Sequence, residues 1–160
     1  MKTLGSIVRP QTDITEIDKN MKPLWFDGVD PSKINFGIAY YGRTYKLTDP
    51  SCDKMGCRFI GGEAGAPGSC TNFPGVLSNR EIRRIIKDEG ITPYFNTTAM
   101  VKYFKYSGDS WVGYDDAETY AMKEEYANNR CLVSTFNIKA PPSSMLISSP
   151  GRPYDLVNRF

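Results

Sequence analysis

Apolar side chains predict a helix followed by a buried strand near the start of the chain. In residues 14–26 they recur at three- and four-residue steps, which is typical of one face of a helix. Pro23 lies within this stretch and should kink or shorten the last turn. The continuous apolar run at residues 34–40 is typical of a strand that is buried on both faces of a parallel sheet.

Polar side chains follow this apolar run, in the sequence Tyr41, Gly42 and Arg43. A glycine at this place lets the backbone turn sharply and brings a phenol and a guanidinium to the mouth of the strand. In barrels of parallel strands, ligands bind at that end. Arg43 could instead only pair with a neighbouring carboxylate, and the residues alone leave both interpretations open.

The second half of the chain alternates between helical and strand-like patterns. Ser78 and Glu81 form a capping box that begins a helix, and Gly90 ends it. Strand-like runs follow at residues 92–96, 100–106 and 110–114, with a hairpin turn at 107–109. A last helix covers residues 117–129, with Asp115 as its N-cap and Glu118 completing a capping box. The expected unit is a sheet with one helix packed on it, an α+β fold.

Three parts of the sequence together resemble one protein family. The strand KINFGIAYYGRTY, the Gly-, Pro- and Cys-rich segment TDPSCDKMGCRFIGGEAGAPGSCTNFPGV and the segment WVGYDDAETYAMKEEYANNRCL are similar to the glycoside hydrolase family 18 chitinases, in their fungal, killer-toxin-like class V branch. The resemblance covers about residues 4–132. It implies a C-terminal fragment of such a chitinase, because 160 residues are too few for an eight-stranded barrel of ~250 residues.

The resemblance also implies how the chain is organised. Residues 1–42 would be a partial barrel segment with helix six and strand seven, residues 43–113 the chitinase insertion domain, and residues 114–132 the helix that returns to the barrel. Residues 133–160 diverge from the family and are rich in Pro and Ser, so we expect a disordered tail without the eighth strand and its Trp. The expected fold is an insertion domain flanked by elements of an incomplete (β/α)8 barrel.

The family hydrolyses β-1,4-linked N-acetylglucosamine in chitin by substrate-assisted catalysis, with the acid supplied by a D-x-x-D-x-D-x-E motif. The DGVD sequence at residues 27–30 begins this motif but continues into PSK. Asp115 and Asp116 are neighbours and cannot flank a glycosidic bond as two catalytic carboxylates do. We therefore expect no catalytic residue and no hydrolysis by this chain alone. A secreted, non-catalytic module that binds chitin or another protein is the alternative.

The resemblance implies a set of substrate-binding residues for chitin or chito-oligosaccharides, with weak binding at most. Tyr41 and Arg43 match family residues that contact the sugar, and Trp111, Tyr114 and Asp115 would lie beside the cleft. The missing N-terminal portion of the barrel is a further possible partner.

Composition excludes several classes of site and partner. The chain has no histidine, which removes imidazole catalysis and His-based metal sites, so we expect neither a cofactor nor a metal. Its net charge is +2, both signs are interspersed, and no basic run indicates nucleic acid. No segment is apolar enough to cross a membrane.

Four cysteines in loops rich in Gly and Pro indicate disulfides and an oxidising, extracellular compartment. They allow three pairings. We predict Cys52–Cys57, which would close a tight loop, and Cys70–Cys131, which would tie the insertion domain to its returning helix. Asn96 begins an N-T-T glycosylation acceptor in a predicted turn. The N-terminal sequence MKTLGSIVRPQ has no signal-peptide pattern, which suggests a chain whose true beginning has been lost.

Overall fold

Residues 5–137, which the computed structural model describes, form two sheets and three α-helices. In chain order the elements are α1 (Ile14–Phe26), β1 (Asn35–Ala39), β2 (Tyr41–Lys46), β3 (Val76–Ser78), α2 (Asn79–Glu89), β4 (Tyr94–Asn96), β5 (Val101–Tyr106), β6 (Ser110–Tyr114), α3 (Ala117–Asn128) and β7 (Val133–Asn137). The predicted helices and the three predicted strand-like runs are confirmed. Helix α1 continues past Pro23 to Phe26 and is not shortened there.

The smaller sheet pairs β1 and β7 in parallel, with Asn35 opposite Val133 and Ala39 opposite Asn137. Helices α1 and α3 pack against the face of β1 that carries Phe36 and Ile38. The predicted burial of this strand on both faces is wrong, because Asn35 and Gly37 on the opposite face are exposed. One face of β1 therefore belongs to the core, whereas the opposite face is exposed at Asn35 and Gly37 and buried only at Ala39.

The sequence predicts no strand at residues 133–137, yet these residues form β7 and pair in parallel with β1. Helix α3 ends shortly before β7, the Leu132 side chain is buried, and the Val133 N–H donates to the Ile34 carbonyl. These contacts align residues 133–137 with β1, and the sequence VSTFN is rich in residues that favour strands. The predicted disordered tail therefore cannot begin at residue 133. Residues 138–160, the remainder of that tail, lie outside the described residues.

The larger sheet is antiparallel and has the strand order β3-β2-β6-β5-β4. Helix α2 packs on one face, where Ile82 contacts side chains such as Phe104 and Val112. The predicted capping box of Ser78 and Glu81 is present, and Gly90 ends the helix with a positive φ of 63°. The N-terminal segment and the loop after β2 cover the other face, which carries Trp111 and Tyr103.

Helix α3 has its N-cap one residue later than predicted. The Asp116 carboxylate accepts from the N–H groups of Glu118 and Thr119, and Thr119 completes the capping box. Asp115 does not cap the helix, because its carboxylate points inward and contacts Lys123 and Thr12. The prediction of Asp115 as the N-cap, with Glu118 as its partner, is therefore wrong.

One of the two predicted disulfides is confirmed. Cys52 and Cys57 are bonded, whereas Cys70 and Cys131 are free and exposed, so the predicted Cys70–Cys131 bond is wrong. The Cys70 N–H donates to the Glu81 carboxylate, which holds this residue at the start of α2. Cys131 follows α3, next to β7 and the smaller sheet. Cys70 is thus held beside the larger sheet and its helix, whereas Cys131 lies beside the smaller sheet.

Candidate functional site

Tyr41 and Arg43 lie on one face of β2, two residues apart, and together form an accessible polar surface, called here the Tyr41–Arg43 surface. The Arg43 side chain is exposed, and its guanidinium carbon lies 5.4 Å from the centre of the Tyr41 ring. The Gln11 side-chain amide donates to the Tyr41 hydroxyl oxygen at 2.7 Å. In residues 5–137 no carboxylate forms an ion pair with Arg43, which removes the alternative interpretation of this residue within that range.

Gly42 orients this surface by close packing. It lies inside β2 and does not provide the sharp turn predicted from the sequence. A Cβ atom at Gly42 would lie 2.6 Å from Val112 Cγ2 and 2.7 Å from Ile82 Cδ1. Only glycine fits there without displacement of the core under α2. Because Gly42 faces this core, Tyr41 and Arg43 face the opposite side of the sheet.

Trp111 lies beside this surface but has no exposed ring face. A Cβ at Gly113, which is opposite Arg43, would lie 2.8 Å from the Trp111 ring and 3.0 Å from Pro10 Cα. The Trp111 ring stacks on Tyr103 at 5.5 Å, and its indole N–H donates to the Asp53 carbonyl at 3.0 Å. Trp111 is 0% exposed, so it supports the sheet from inside the core.

Tyr114 and Asp115 are also in the interior. Tyr114 packs edge-on against Phe104 under α2, and burial raises the pKa of its phenol, which keeps it neutral. Asp115 is 3% exposed. We therefore leave Trp111, Tyr114 and Asp115 out of the accessible surface, because none of them presents enough side chain to contact a sugar. The structure brings only Tyr41 and Arg43 of the five predicted binding residues to the surface.

Asp115 belongs to a buried polar cluster that the sequence analysis did not identify. Its carboxylate contacts the Lys123 ammonium and the Thr12 hydroxyl, and it accepts from the Thr119 hydroxyl at 2.8 Å. Lys123 is 0% exposed, and burial lowers the pKa of its ammonium while the Asp115 charge opposes this effect. The helical periodicity could have predicted that Lys123 is buried, because Lys123 shares a face of α3 with the buried residues Tyr120 and Ala127.

Asn96 lies at the end of β4, at the start of a turn, as predicted. Its side-chain oxygen accepts from the Ala99 N–H at 2.9 Å, and its amide nitrogen lies 3.6 Å from the Met55 sulfur. The Asn96 residue is thus half-buried in the folded chain, and its glycosylation stays a prediction.

In the described part of the chain, no group of three His, Cys, Asp or Glu side chains could hold a metal ion. No helix within residues 5–137 has both the length and the apolar character needed to cross a bilayer.

Comparison with known proteins places the sequence in a large family. The profile of the glycosyl hydrolases family 18 matches residues 3–135. The chain is 31% identical to the class V chitinase CHIT5a of Medicago truncatula over 109 residues, which cover 68% of this chain and 26% of that protein. It is 33% identical to the killer toxin subunits alpha/beta of Kluyveromyces lactis over 125 residues, 78% of this chain and 11% of that protein. The chain thus spans about a quarter or less of these relatives.

The fold is also similar to solved structures. A plant class V chitinase mutant from Cycas revoluta, solved in complex with (GlcNAc)3, superposes with a TM-score of 0.67 at 27% sequence identity. The match covers 82% of this chain and 37% of that one.

Proposed function

Because this chain belongs to glycoside hydrolase family 18, as the sequence predicts, we propose that its Tyr41–Arg43 surface binds chito-oligosaccharides. The observation that carries this proposal is the exposed guanidinium of Arg43, which forms no ion pair within residues 5–137 and lies over the Tyr41 ring. The Cycas revoluta relative was solved with (GlcNAc)3, which supports the same class of ligand here.

The chemistry of the two side chains suits an N-acetylated sugar. A guanidinium offers five N–H donors in a fixed plane, which can serve the acetamido carbonyl and the ring hydroxyls. The Tyr41 hydroxyl already accepts a hydrogen bond from Gln11, and no residue in the described range accepts its proton. This proton is therefore available for a sugar oxygen.

We propose that these 160 residues do not hydrolyse chitin by themselves. They contain no D-x-x-D-x-D-x-E sequence, and the substrate-assisted mechanism needs the Glu of that motif as its acid. Release of soluble oligosaccharide from chitin by the purified chain, with a mock purification as the control, would overturn this proposal.

An NMR titration with (GlcNAc)3 tests the binding proposal. We expect weak binding, with amide shifts concentrated around Tyr41 and Arg43. Arg43→Ala should weaken the affinity about tenfold or more, since it removes hydrogen bonds from a charged donor. Arg84→Ala is the matched control, because Arg84 is an exposed arginine on α2.

Two results would reject the binding proposal. Cellotriose lacks acetamido groups, so equal shifts with cellotriose would show that the surface does not recognise chitin chemistry. Equal weakening by Arg43→Ala and Arg84→Ala would show that only the net charge matters.

We also propose an extracellular location and glycosylation at Asn96. The Cys52–Cys57 disulfide supports an oxidising compartment. Since the Asn96 amide is half-buried in the folded chain, the glycan would have to be added before this turn packs against Met55. Secretory expression should give a mass that falls after N-glycosidase treatment, whereas the Asn96→Gln variant should show no such change. A wild-type mass that N-glycosidase leaves unchanged would contradict the proposal.

Finally, we propose that β1 and β7 are strands of a barrel that needs further strands from outside these residues. Parallel sheets are almost always covered on both faces, and within residues 5–137 nothing covers Asn35 and Gly37 of β1. The test is co-expression with an N-terminal chitinase segment that contains the remaining strands. Co-purification of the two chains supports the proposal, and their independent elution contradicts it.

A further inference from the structure

The buried cluster around Asp115 joins three parts of the chain. Thr12 comes from the N-terminal segment, Asp115 directly follows β6, and Lys123 lies in the middle of α3. The Thr12 hydroxyl accepts from the Lys123 ammonium at 2.7 Å and donates to the Asp115 carboxylate. Thr12 is therefore the only member of this set that connects the cluster to the N-terminal segment.

The charges in the cluster fix its geometry. Lys123 and Asp115 are almost completely buried, so each charge needs its partner and the hydroxyl groups around it. The Thr12 hydroxyl acts in both directions, as an acceptor for the ammonium and a donor to the carboxylate. A shift of the Thr12 backbone would break both contacts inside the core. The backbone at this position is thus strongly restrained.

The residue next to Thr12 contacts the proposed binding surface. Gln11 is exposed, yet its amide reaches the Tyr41 hydroxyl at 2.7 Å. An exposed glutamine has no packing of its own to hold it, and its side chain loses rotamer freedom when it keeps this contact. Its reach to Tyr41 depends on where its backbone lies, and the buried cluster fixes that backbone through Thr12.

We propose that the Asp115–Lys123–Thr12 cluster positions the Tyr41 hydroxyl for its ligand, acting through Gln11. Gln11 occupies one acceptor position of the hydroxyl and leaves the proton directed elsewhere. The cluster residues do not touch the sugar and are positioning residues. This inference rests on the proposed binding function. The hydrogen bond from Gln11 to the Tyr41 hydroxyl, however, can be measured without ligand.

The test compares Thr12→Val with Thr12→Ser, since valine keeps the shape but not the hydroxyl and serine keeps the hydroxyl. The ¹³Cζ signal of Tyr41, assigned with Tyr41→Phe in tyrosine-labelled protein, reports the hydrogen bond directly. We expect Gln11→Ala and Thr12→Val to shift this signal in the same direction. Each should weaken (GlcNAc)3 binding about three- to tenfold, the range for one hydrogen bond. Thr12→Ser should stay within about twofold.

Two further variants separate positioning from stability. In the double variant Gln11→Ala/Thr12→Val, the affinity should fall no further than in Gln11→Ala alone, because Thr12 acts through Gln11. Thr119→Val removes another donor to Asp115 without touching the N-terminal segment. It should lower the unfolding temperature but leave the Tyr41 signal unchanged.

The outcomes distinguish this inference from the binding proposal. A Thr12→Val protein that is less stable but keeps the wild-type Tyr41 signal would overturn the inference. Additive losses of affinity in the double variant would also overturn it. If the wild-type chain does not bind (GlcNAc)3, the binding proposal fails, and the Tyr41 signal alone decides the positioning role. Thr12→Ala replaces Thr12→Val if the valine variant does not fold.

Discussion

Glu81 should contribute strongly to the stability of the fold, because its carboxylate joins the start of α2 to the loop before β3. It is 4% exposed. One oxygen accepts from the N–H groups of Cys70 and Thr71 at 2.7 and 2.8 Å, and the other from the Ser78 N–H and hydroxyl at 2.9 and 2.6 Å. Burial raises the pKa of Glu81, but the hydrogen bonds outweigh it and lower the pKa to about 2.

The size of this contribution follows from the pKa. The ordinary value is 4.5 and the folded value is about 2, so the ionised carboxylate stabilises the fold by about 3 kcal/mol at about 1.4 kcal/mol per pKa unit. Because the folded pKa is the lower one, this stability is present above pH 4.5 and is lost as the pH falls towards 2. At pH 3, about 2 kcal/mol of it should already be gone.

Urea unfolding of Glu81→Gln tests this calculation. At pH 7 the variant should be less stable than the wild type by about 3 kcal/mol, and at pH 3 by only about 1 kcal/mol. Glu125→Gln is the control, since Glu125 is exposed on α3 and should show little difference at either pH. An equal loss at pH 7 and pH 3 for Glu81→Gln would refute the argument, because the loss would then not depend on the carboxylate charge.

Three further predictions use other sites. Gly42→Ala should lower the free energy of unfolding by about 2 kcal/mol, because the added methyl group would overlap Val112 and Ile82. Gly37→Ala is the control, since its methyl group would meet no atom within 4 Å and should leave the free energy of unfolding unchanged, and thermal unfolding of both variants checks this. The Cys52–Cys57 bond restricts the unfolded chain, so replacement of both cysteines by serine should lower the free energy of unfolding by about 2 kcal/mol in a urea titration, and an unchanged midpoint would contradict this reasoning. Iodoacetamide should label Cys70 and Cys131 in the native, unreduced protein, as peptide mass spectrometry would show; protection of both would restore the pairing predicted from the sequence.

The elements that could be predicted from the sequence carry their signals locally. Helix α2 has its capping box and its terminal glycine within a dozen residues, and the hairpin between β5 and β6 has its turn residues between two strand-like runs. The Cys52–Cys57 bond likewise closes a short loop. In each case the interacting groups are close in the sequence, so their spacing alone indicates the structure.

The errors concern contacts between distant residues. Strand β7 pairs with β1 across about a hundred residues, and no local pattern announces that register. Asp115 looked like a helix cap because its neighbours suit one, but its partners Thr12 and Lys123 lie on other elements and draw it inward. Trp111 was expected beside the cleft as a substrate-binding residue, but an aromatic residue of this kind can equally fill a core, and its ring is buried. The location of a polar or aromatic side chain depends on partners that the spacing does not reveal.

The pairing of β2 with β6 has a consequence for how this fold can change. The chain leaves the smaller sheet at Tyr41 and returns after Tyr114, and these two strands are direct neighbours, with Arg43 opposite Gly113. The segment from Tyr41 to Tyr114 therefore starts and finishes at one place, and a relative's segment that replaced it would also have to fit the N-terminal segment, which packs on one face of the larger sheet. Tyr41 and Arg43 would travel with the exchanged segment, whereas Gln11 and Thr12 would stay behind. A chimera between relatives would thus combine the Tyr41–Arg43 surface of one parent with the Gln11–Thr12 segment of the other.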